Sequence, residues 1–78
     1  MAKLPRDADP RKVLRALQRL GFVVDHVSGG HYVVVHLENS ERRSSIPFHG
    51  KLKTGTLRGI LREVRVTLEE FLESFMVL

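Results

Sequence analysis

Histidines are the residues of this 78-residue chain best suited to proton-transfer chemistry, and it has four: His26, His31, His36 and His49. An imidazole titrates near neutral pH, so it can act there as a general acid or a general base. His31 follows Gly29-Gly30, where the backbone can come close to a phosphate and the ring is uncrowded. We therefore treat His31 as a candidate catalytic residue, with an exposed turn histidine as the simpler alternative.

The same histidines raise the question of a metal site. A hairpin would bring His26 near His31, but no acidic residue is evidently placed with them. Zinc sites usually need three or four protein ligands. Cysteine is absent, which also excludes thiolate metal sites, cysteine nucleophiles and disulfides. We expect neither a metal ion nor another cofactor.

The charge distribution favours a polyanionic partner. The chain has 13 basic and 9 acidic residues, a net charge of +4 and a pI of about 10.1. Residues 67–78 hold three glutamates and no basic residue, so residues 1–66 set 13 basic against 6 acidic side chains, a balance of +7. Such a basic body is typical of nucleic-acid-binding domains. A soluble domain with a high pI and no such partner is the simpler alternative.

The chain's location is also constrained by its composition. Secreted domains this small usually need disulfides, so we expect a cytoplasmic protein. The sequence shows no apolar targeting segment at its start and no run near the roughly 18 apolar residues needed to span a bilayer. We therefore expect no membrane partner.

The elements that position the histidines begin with a helix. Asp9 is a suitable N-cap and Pro10 a suitable first helical residue, and Gly21 predicts the end of the helix. The apolar residues between these two signals have the spacing of one helix face: Val13, Leu14, Leu17 and Leu20. Residues 1–8 before the helix are predicted to be a flexible leader.

A hairpin should follow the first helix. Residues 22–28 and 31–37 are rich in β-branched and aromatic types, and Gly29-Gly30 is a two-residue turn signal. This turn predicts that Ser28 pairs with His31, His26 with Val33, and Val24 with Val35. These residues would share one face, and His36 would lie on the other as a structural residue. We expect the open face to meet a protein partner or a second copy through three valines: Val24, Val33 and Val35.

The rest of the chain predicts one strand and two helices. Residues 44–48 form a short strand, which Pro47 confines to an edge or to its own end. Thr54 is a suitable N-cap for a second helix, and Thr67 with Glu70 forms a capping box for an appended third helix over 67–78. The apolar faces of these helices are Leu57, Ile60, Leu61 and Val64, then Leu68, Phe71, Leu72 and Phe75. Residues 1–78 are thus expected to form a single α+β domain with helices on one side of a three-stranded antiparallel sheet.

Several segments in unbroken order resemble the HicA family of toxin mRNA interferases. They are Gly29-Gly30-His31, Ile46-Pro47-Phe48-His49 and residues 52–61. Residues 17–22 are similar to the family's first helix and the aromatic residue after it, and residues 67–72 to its optional C-terminal helix. The resemblance covers roughly residues 10–75, and its specificity comes from the ordered set rather than from any one segment.

The resemblance implies a fold, a function and a partner. The fold is that of the double-stranded-RNA-binding domain, α-β-β-β-α, with an extra C-terminal helix. The function is that of a type II toxin that cleaves mRNA without a metal ion and is neutralised by a HicB-type antitoxin covering the His31 face. The catalytic histidine of the family's Gly-Ser-His motif falls on His31. A second family histidine falls on His49, which would bind the scissile phosphate or transfer the second proton, or alternatively only close the loop on the sheet.

An RNA substrate would need cations near these histidines. The start of the second helix is itself an anion site, and Arg58, Arg62 and Arg65 lie on one helical stripe. The candidate RNA-binding residues are Gly29, Gly30, Lys51, Lys53, Thr54, Arg58 and Arg62. A solvated helix face is the alternative for the arginine stripe.

Two departures from the family pattern bear on function and fold. Gly30 stands where the motif has serine, so any contact of that hydroxyl is missing. Val64-Arg65 replaces an Ala-Gly pair, which puts Arg65 where a left-handed residue is expected, so the turn is predicted to differ from the family's. Two other functions stay open beside the ribonuclease: a non-catalytic RNA-binding module, and a protein-interaction domain that uses the open sheet face.

Overall fold

The computed structural model describes residues 3–76, and its elements follow the order α-β-β-β-α-α. They are α1 (Pro10–Arg19), β1 (Phe22–Ser28), β2 (His31–His36), β3 (Arg43–Pro47), α2 (Thr54–Val64) and α3 (Leu68–Phe75). The strands form one antiparallel sheet in the order β1-β2-β3, so β2 is central and Pro47 ends an edge strand. This is the predicted α+β architecture of the double-stranded-RNA-binding domain with an added C-terminal helix. None of the helices in the described residues has the length and apolar character to cross a membrane.

Local capping signals account for two of the three helix starts. The Asp9 side chain accepts a hydrogen bond from the Arg11 backbone N–H at 2.9 Å, and Pro10 is the first helical residue. Thr67 and Glu70 form the predicted capping box at the start of α3. These contacts satisfy backbone N–H groups that have no partner inside a helix.

The predicted N-cap of α2 is wrong by one residue. The N-cap is Lys53, which makes no side-chain hydrogen bond, and Thr54 is the first residue of the helix. Leu52 is paired with Ala8 in an isolated bridge, with N–H···O distances of 3.1 and 2.8 Å. Because this bridge keeps the backbone extended through Lys53, the helix begins at the next residue.

The core lies between the helices and one face of the sheet. The largest fully buried side chains are Phe22, Phe71, Leu17, Ile46, Leu57, Val13, Val34 and Val64. They come from all three helices and all three strands, and they include residues of each predicted apolar helix face. Burial of these side chains supplies the main driving force that holds the sheet and helices together.

The hairpin register agrees with the prediction near the turn and departs from it further along. Ser28 pairs with His31 and His26 with Val33, but Val24 pairs with Val34 instead of Val35. The extra residue at Asp25 is a β-bulge, which shifts the pairing by one position. Val24 therefore packs against the core.

The bulge changes which residues form the open face of the sheet. Val23 takes the place predicted for Val24, because Val23 is the residue that pairs with Val35. Val23 is 37% exposed, whereas Phe22 is only 1% exposed. Without the bulge, strict alternation would put Phe22 on the open face with His26. Burying this aromatic ring is the physical reason for the shift.

The turn between α2 and α3 is left-handed at Arg65, although the replacement of glycine by arginine predicted a different turn. Arg65 has φ 58° and ψ 43°, and the Val66 backbone N–H donates to the Leu61 carbonyl at 3.0 Å. This hydrogen bond is the one that defines a Schellman helix end. Arg42 also donates from Nε to the Val64 carbonyl at 2.9 Å. The end of α2 is thus tied to the β2–β3 connection.

Both chain ends contact the core within the described residues. In the leader, Leu4 packs against the core and Ala8 is only 4% exposed. At the other end, Ser74 Oγ donates to the Ala16 carbonyl at 2.6 Å, and Arg19 donates to the Ser74 carbonyl at 2.9 Å. The flexibility of residues 1–8 stays a prediction, and the last two residues of the predicted 67–78 helix lie outside the described residues.

Candidate active site and basic surface

The glycine turn places His31 at the start of the central strand. Gly29 and Gly30 have φ values of 52° and 80°, a left-handed backbone at both turn positions. This combination suits a two-residue hairpin turn and disfavours residues with a side chain. His31 pairs with Ser28 on one side and with Pro47 of β3 on the other. The sheet thus fixes the backbone of the candidate catalytic residue on both sides.

The His31 ring makes one hydrogen bond that defines its chemistry. Nδ1 lies 3.0 Å from the Gly29 carbonyl oxygen. Because a carbonyl oxygen can only accept, Nδ1 carries the hydrogen in this contact. In the neutral ring the lone pair is then on Nε2, which can accept a proton from a bound hydroxyl group. The ring is half-buried, so Nε2 chemistry requires no rearrangement of the core.

His49 reaches the same turn through space. A Cβ on Gly30 would lie 2.6 Å from His49 Cδ2 and 2.9 Å from His49 Nε2. The Phe48 backbone N–H donates to the Gly30 carbonyl at 3.0 Å, which holds the 48–49 segment against the hairpin. Gly30 is therefore in direct contact with His49 and covalently joined to His31.

The aromatic residues beside this pair are mutually packed. The Phe48 ring centroid is 4.7 Å from that of Tyr32 and 4.7 Å from that of His49. Tyr32 also packs against the core. These contacts orient His49, and they occupy Tyr32, the aromatic residue that follows His31.

The other two histidines lie outside the His31–His49 pair. His36 packs edge-on against Phe22 with centroids 4.9 Å apart, and its Nδ1 accepts from the Glu38 backbone N–H at 3.1 Å. This is the structural role predicted for it. His26 is exposed on the open face, with Nδ1 2.7 Å from an Asp25 carboxylate oxygen. Among residues 3–76 no group of three potential metal ligands comes together.

The predicted cations surround the start of α2. Lys51 and Lys53 are exposed in the loop between His49 and the helix, and Thr54 is half-buried as the first helical residue. The first turn of α2 contains no acidic residue, so its backbone N–H groups present an uncompensated positive end. Arg58 and Arg62 are exposed on the same helix one turn apart. These residues form what we call the α2 basic surface: Lys51, Lys53, Thr54, Arg58 and Arg62.

Arg65 does not continue the arginine stripe, contrary to the prediction. It lies beyond the last helical residue in a left-handed turn, and its guanidinium is 3.7 Å from Glu41. A helical projection fails for this residue because the helix has already ended. The stripe on α2 consists of Arg58 and Arg62.

Two further cations were missed by the sequence reasoning. Lys3 and Arg6 of the leader line an open groove of about 620 Å³ together with Arg58 and Arg62. The only sequence signal for this arrangement was the apolar pair Leu4 and Ala8, which can anchor a leader to the core. We refer to this feature, between residues 3–6 and α2, as the leader groove.

The chain belongs to the HicA family. The family model described as the HicA toxin of bacterial toxin–antitoxin systems matches residues 10–66, from the first residue of α1 to the residue after the left-handed turn. This protein is therefore a toxin-family member for which a cognate antitoxin partner is implied. No protein of curated function matches the sequence.

Proposed function

We propose that this HicA-family protein is a metal-independent endoribonuclease that cleaves mRNA, with His31 as its general base. The observation that supports the proposal is the contact of His49 with Gly30, the residue that precedes His31. The lysines of the α2 basic surface follow His49 within four residues of the chain. RNA cleavage can use the substrate's own 2′-hydroxyl as the nucleophile. The protein then needs proton-transfer groups and positive charge, which these elements can provide.

His31 Nε2 is the group we assign to the first proton transfer. It takes the proton from the 2′-hydroxyl while the 2′-oxygen forms a bond to the adjacent phosphorus. The bond from phosphorus to the 5′-oxygen of the next nucleotide then breaks, and that oxygen takes up a proton. The products are a 2′,3′-cyclic phosphate and a 5′-hydroxyl. A positioned proton-transfer group of this kind contributes about 10²–10⁴-fold in rate.

His49 is the second group in this proposal. Its contact with Gly30 supports a position on the same phosphate as His31. There it would donate the proton to the leaving 5′-oxygen or hold the scissile phosphate. Gly29 leaves the backbone open to a phosphate, because it carries no side chain and a Cβ there would have no neighbour within 4 Å.

The cations of the α2 basic surface would bind the RNA backbone. Lys51 and Lys53 follow His49 along the chain, so they are available to stabilise the negative charge that develops on phosphorus. Arg58 and Arg62 extend the positive charge along the helix. Because Tyr32 is packed against Phe48, the site offers no free aromatic side chain beside His31 for stacking on a base. Contacts to phosphate and 2′-hydroxyl groups should dominate.

The partner we propose is a HicB-type antitoxin that covers the His31 face. The open face of the sheet carries half-buried Val33 and Val35 together with Val23. An apolar strip on a solvated sheet face is typical of a protein-interaction surface. Self-association through the same strip is the alternative occupant.

A non-catalytic RNA-binding module is the second candidate function. The observation that favours it is Gly30, which lacks the hydroxyl of the family's motif serine. The RNA-binding surface would be the same in both functions, so only loss of cleavage separates them.

Induced expression tests the proposed function in cells. Wild type should arrest growth and degrade total RNA on a gel, whereas His31→Ala at an equal protein level should do neither. If both forms arrest growth, the toxicity does not come from His31 chemistry. If neither arrests growth and the RNA stays intact, the non-catalytic RNA-binding function replaces the ribonuclease.

A further inference from the structure

Lys3 and Arg6, on one wall of the leader groove, are cations that the proposed ribonuclease mechanism leaves unused. The two walls come from distant parts of the sequence and carry four cations: Lys3, Arg6, Arg58 and Arg62. Thr54 and four aliphatic side chains complete the lining: Leu4, Leu61, Val66 and Leu68. A volume of about 620 Å³ lies within the range of pockets that hold ligands of nucleotide size.

The leader contacts the rest of the fold at two positions, Leu4 and Ala8. Ala8 exchanges two backbone hydrogen bonds with Leu52, at 3.1 and 2.8 Å, and Leu4 packs against the core. Arg6 lies between these two anchors, and Lys3 directly precedes the first. The anchors thus keep the leader cations opposite α2.

Within residues 3–76 no acidic side chain compensates the positive charge of the groove. None of the residues that line it within the described chain is acidic. The ion pairs found in residues 3–76 involve Arg43, Arg65 and His26, and none of the four groove cations. Bringing four like charges to one groove is unfavourable without a counter-charge. The groove is therefore suited to a ligand with several negative charges.

The position of the groove favours RNA as that ligand. Thr54 lines the groove and also begins α2, and the chain advances by five residues from residue 49 to residue 54. Five residues span at most about 18 Å. An RNA strand that runs from His49 along the start of α2 therefore reaches the groove.

We propose that the leader groove is a subsite for the RNA strand that flanks the cleaved bond, with Lys3 and Arg6 binding backbone phosphates opposite Arg58 and Arg62. The aliphatic floor would accept the ribose or base of an unpaired nucleotide. This inference rests on the proposed function, because it takes RNA as the substrate. It adds that the leader forms a second wall of the RNA-binding surface.

Binding of a 12-nucleotide 2′-O-methyl RNA tests the proposal, because this RNA cannot be cleaved through a 2′-hydroxyl. Fluorescence anisotropy should be measured at several salt concentrations for wild type and for Lys3→Gln/Arg6→Gln. Loss of two phosphate contacts should weaken binding about 10- to 30-fold near 0.1 M salt and reduce the log–log salt slope by about 1.4. The control is Lys12→Gln/Arg15→Gln, which removes the same charge from exposed positions on α1. It should bind like wild type.

The possible outcomes distinguish failure of the subsite proposal from failure of the proposed function. If wild type binds the RNA but the leader variant has an unchanged affinity and salt slope, the subsite is refuted and the ribonuclease proposal stands. If the α1 control loses as much affinity as the leader variant, the effect is general electrostatics and the subsite is again refuted. If wild type binds neither the 2′-O-methyl RNA nor the unmodified RNA, both proposals fail. If the leader substitutions weaken binding of a Glu/Leu-rich helical peptide and not of RNA, the groove is a protein-docking site and the proposal is wrong.

Discussion

The ring of His49 lies in the space that a side chain on Gly30 would need, with its Cδ2 atom only 2.6 Å from the position of the absent Cβ. Glycine at position 30 leaves this space to the ring, whereas the family motif has serine there. A side chain at this position would have to displace the His49 ring.

Restoring the motif serine should reduce activity. In Gly30→Ser the new Cβ must displace the His49 ring, and φ 80° is strained for any residue with a side chain. We expect cleavage to fall at least about tenfold if His49 takes part in proton transfer, with a stability loss of about 1–3 kcal/mol from backbone strain. Single-turnover cleavage rates and urea unfolding measure the two effects. Gly50→Ser is the matched control, because Gly50 has a similar φ of 82° and a Cβ there would have no neighbour within 4 Å. Equal cleavage rates for the two variants would contradict the assigned role of His49.

Glu70 should make the stability of the protein depend on pH in the acid range. The Thr67 backbone N–H donates to its carboxylate at 3.0 Å and lowers the pKa of Glu70 below its ordinary value of 4.5, with help from the Thr67 side chain. A lowered pKa means that this contribution is present above about pH 4.5 and is lost as the pH falls through the lowered value. In Glu70→Gln the drop in urea midpoint between pH 7 and pH 3 should therefore be smaller than in wild type. Glu69→Gln, on the same first turn, should drop like wild type; an equal drop in both variants would refute the assignment.

Ser74 should stabilise the contact between α1 and α3. Its Oγ donates to the Ala16 carbonyl at 2.6 Å, and the side chain is buried. Ser74→Ala should lower the free energy of unfolding by about 1–3 kcal/mol, because a buried acceptor loses its partner. Thermal unfolding measures the loss. The matched control is Ser45→Ala on the exposed side of β3, which should change stability by less than about 0.5 kcal/mol. A Ser74→Ala protein as stable as this control would show that the hydrogen bond contributes little.

The open face should be sensitive to charge. Val35→Lys puts an ammonium group into the apolar strip formed with Val23 and Val33, so it should weaken binding of the cognate antitoxin at least about tenfold. Val27→Lys is the control, because Val27 is 58% exposed and pairs with Tyr32 outside the strip. Titration calorimetry with the antitoxin gives both affinities. Unchanged binding by Val35→Lys would place the antitoxin elsewhere, and a mass that depends on concentration for wild type alone would identify a second copy as the occupant.

Elements set by local signals could be predicted from the sequence. Asp9-Pro10, Gly29-Gly30 and the Thr67–Glu70 capping box each define the backbone through residues within a few positions, and the structure agrees with all three. In each case the interaction that decides the backbone conformation joins residues that are close in the sequence.

Features set by distant contacts were missed. The bulge at Asp25 depends on burying Phe22 in a core made by all the elements. The sequence near the bulge does not reveal it, because Val23 and Val24 are both valines and either could pair with Val35. The bridge from Ala8 to Leu52, which moves the start of α2 and anchors the leader, joins residues 44 positions apart. The approach of His49 to Gly30 is likewise visible only in three dimensions. The sequence therefore predicts the candidate residues of the site but not how they meet.

Cleavage of a defined RNA in the presence of EDTA tests the central claim most directly. An oligonucleotide with a mapped cut should be compared with the same oligonucleotide carrying 2′-deoxyribose at the cut, for wild type and for His31→Asn. Asparagine can keep the hydrogen bond to the Gly29 carbonyl but lacks the basic Nε2 atom. The account predicts that wild type cuts only the all-ribose RNA, leaving a 2′,3′-cyclic phosphate, and that His31→Asn cuts it about 10²–10⁴-fold more slowly. Cleavage at the 2′-deoxy position, loss of cleavage in EDTA, or a wild-type rate for His31→Asn would contradict it.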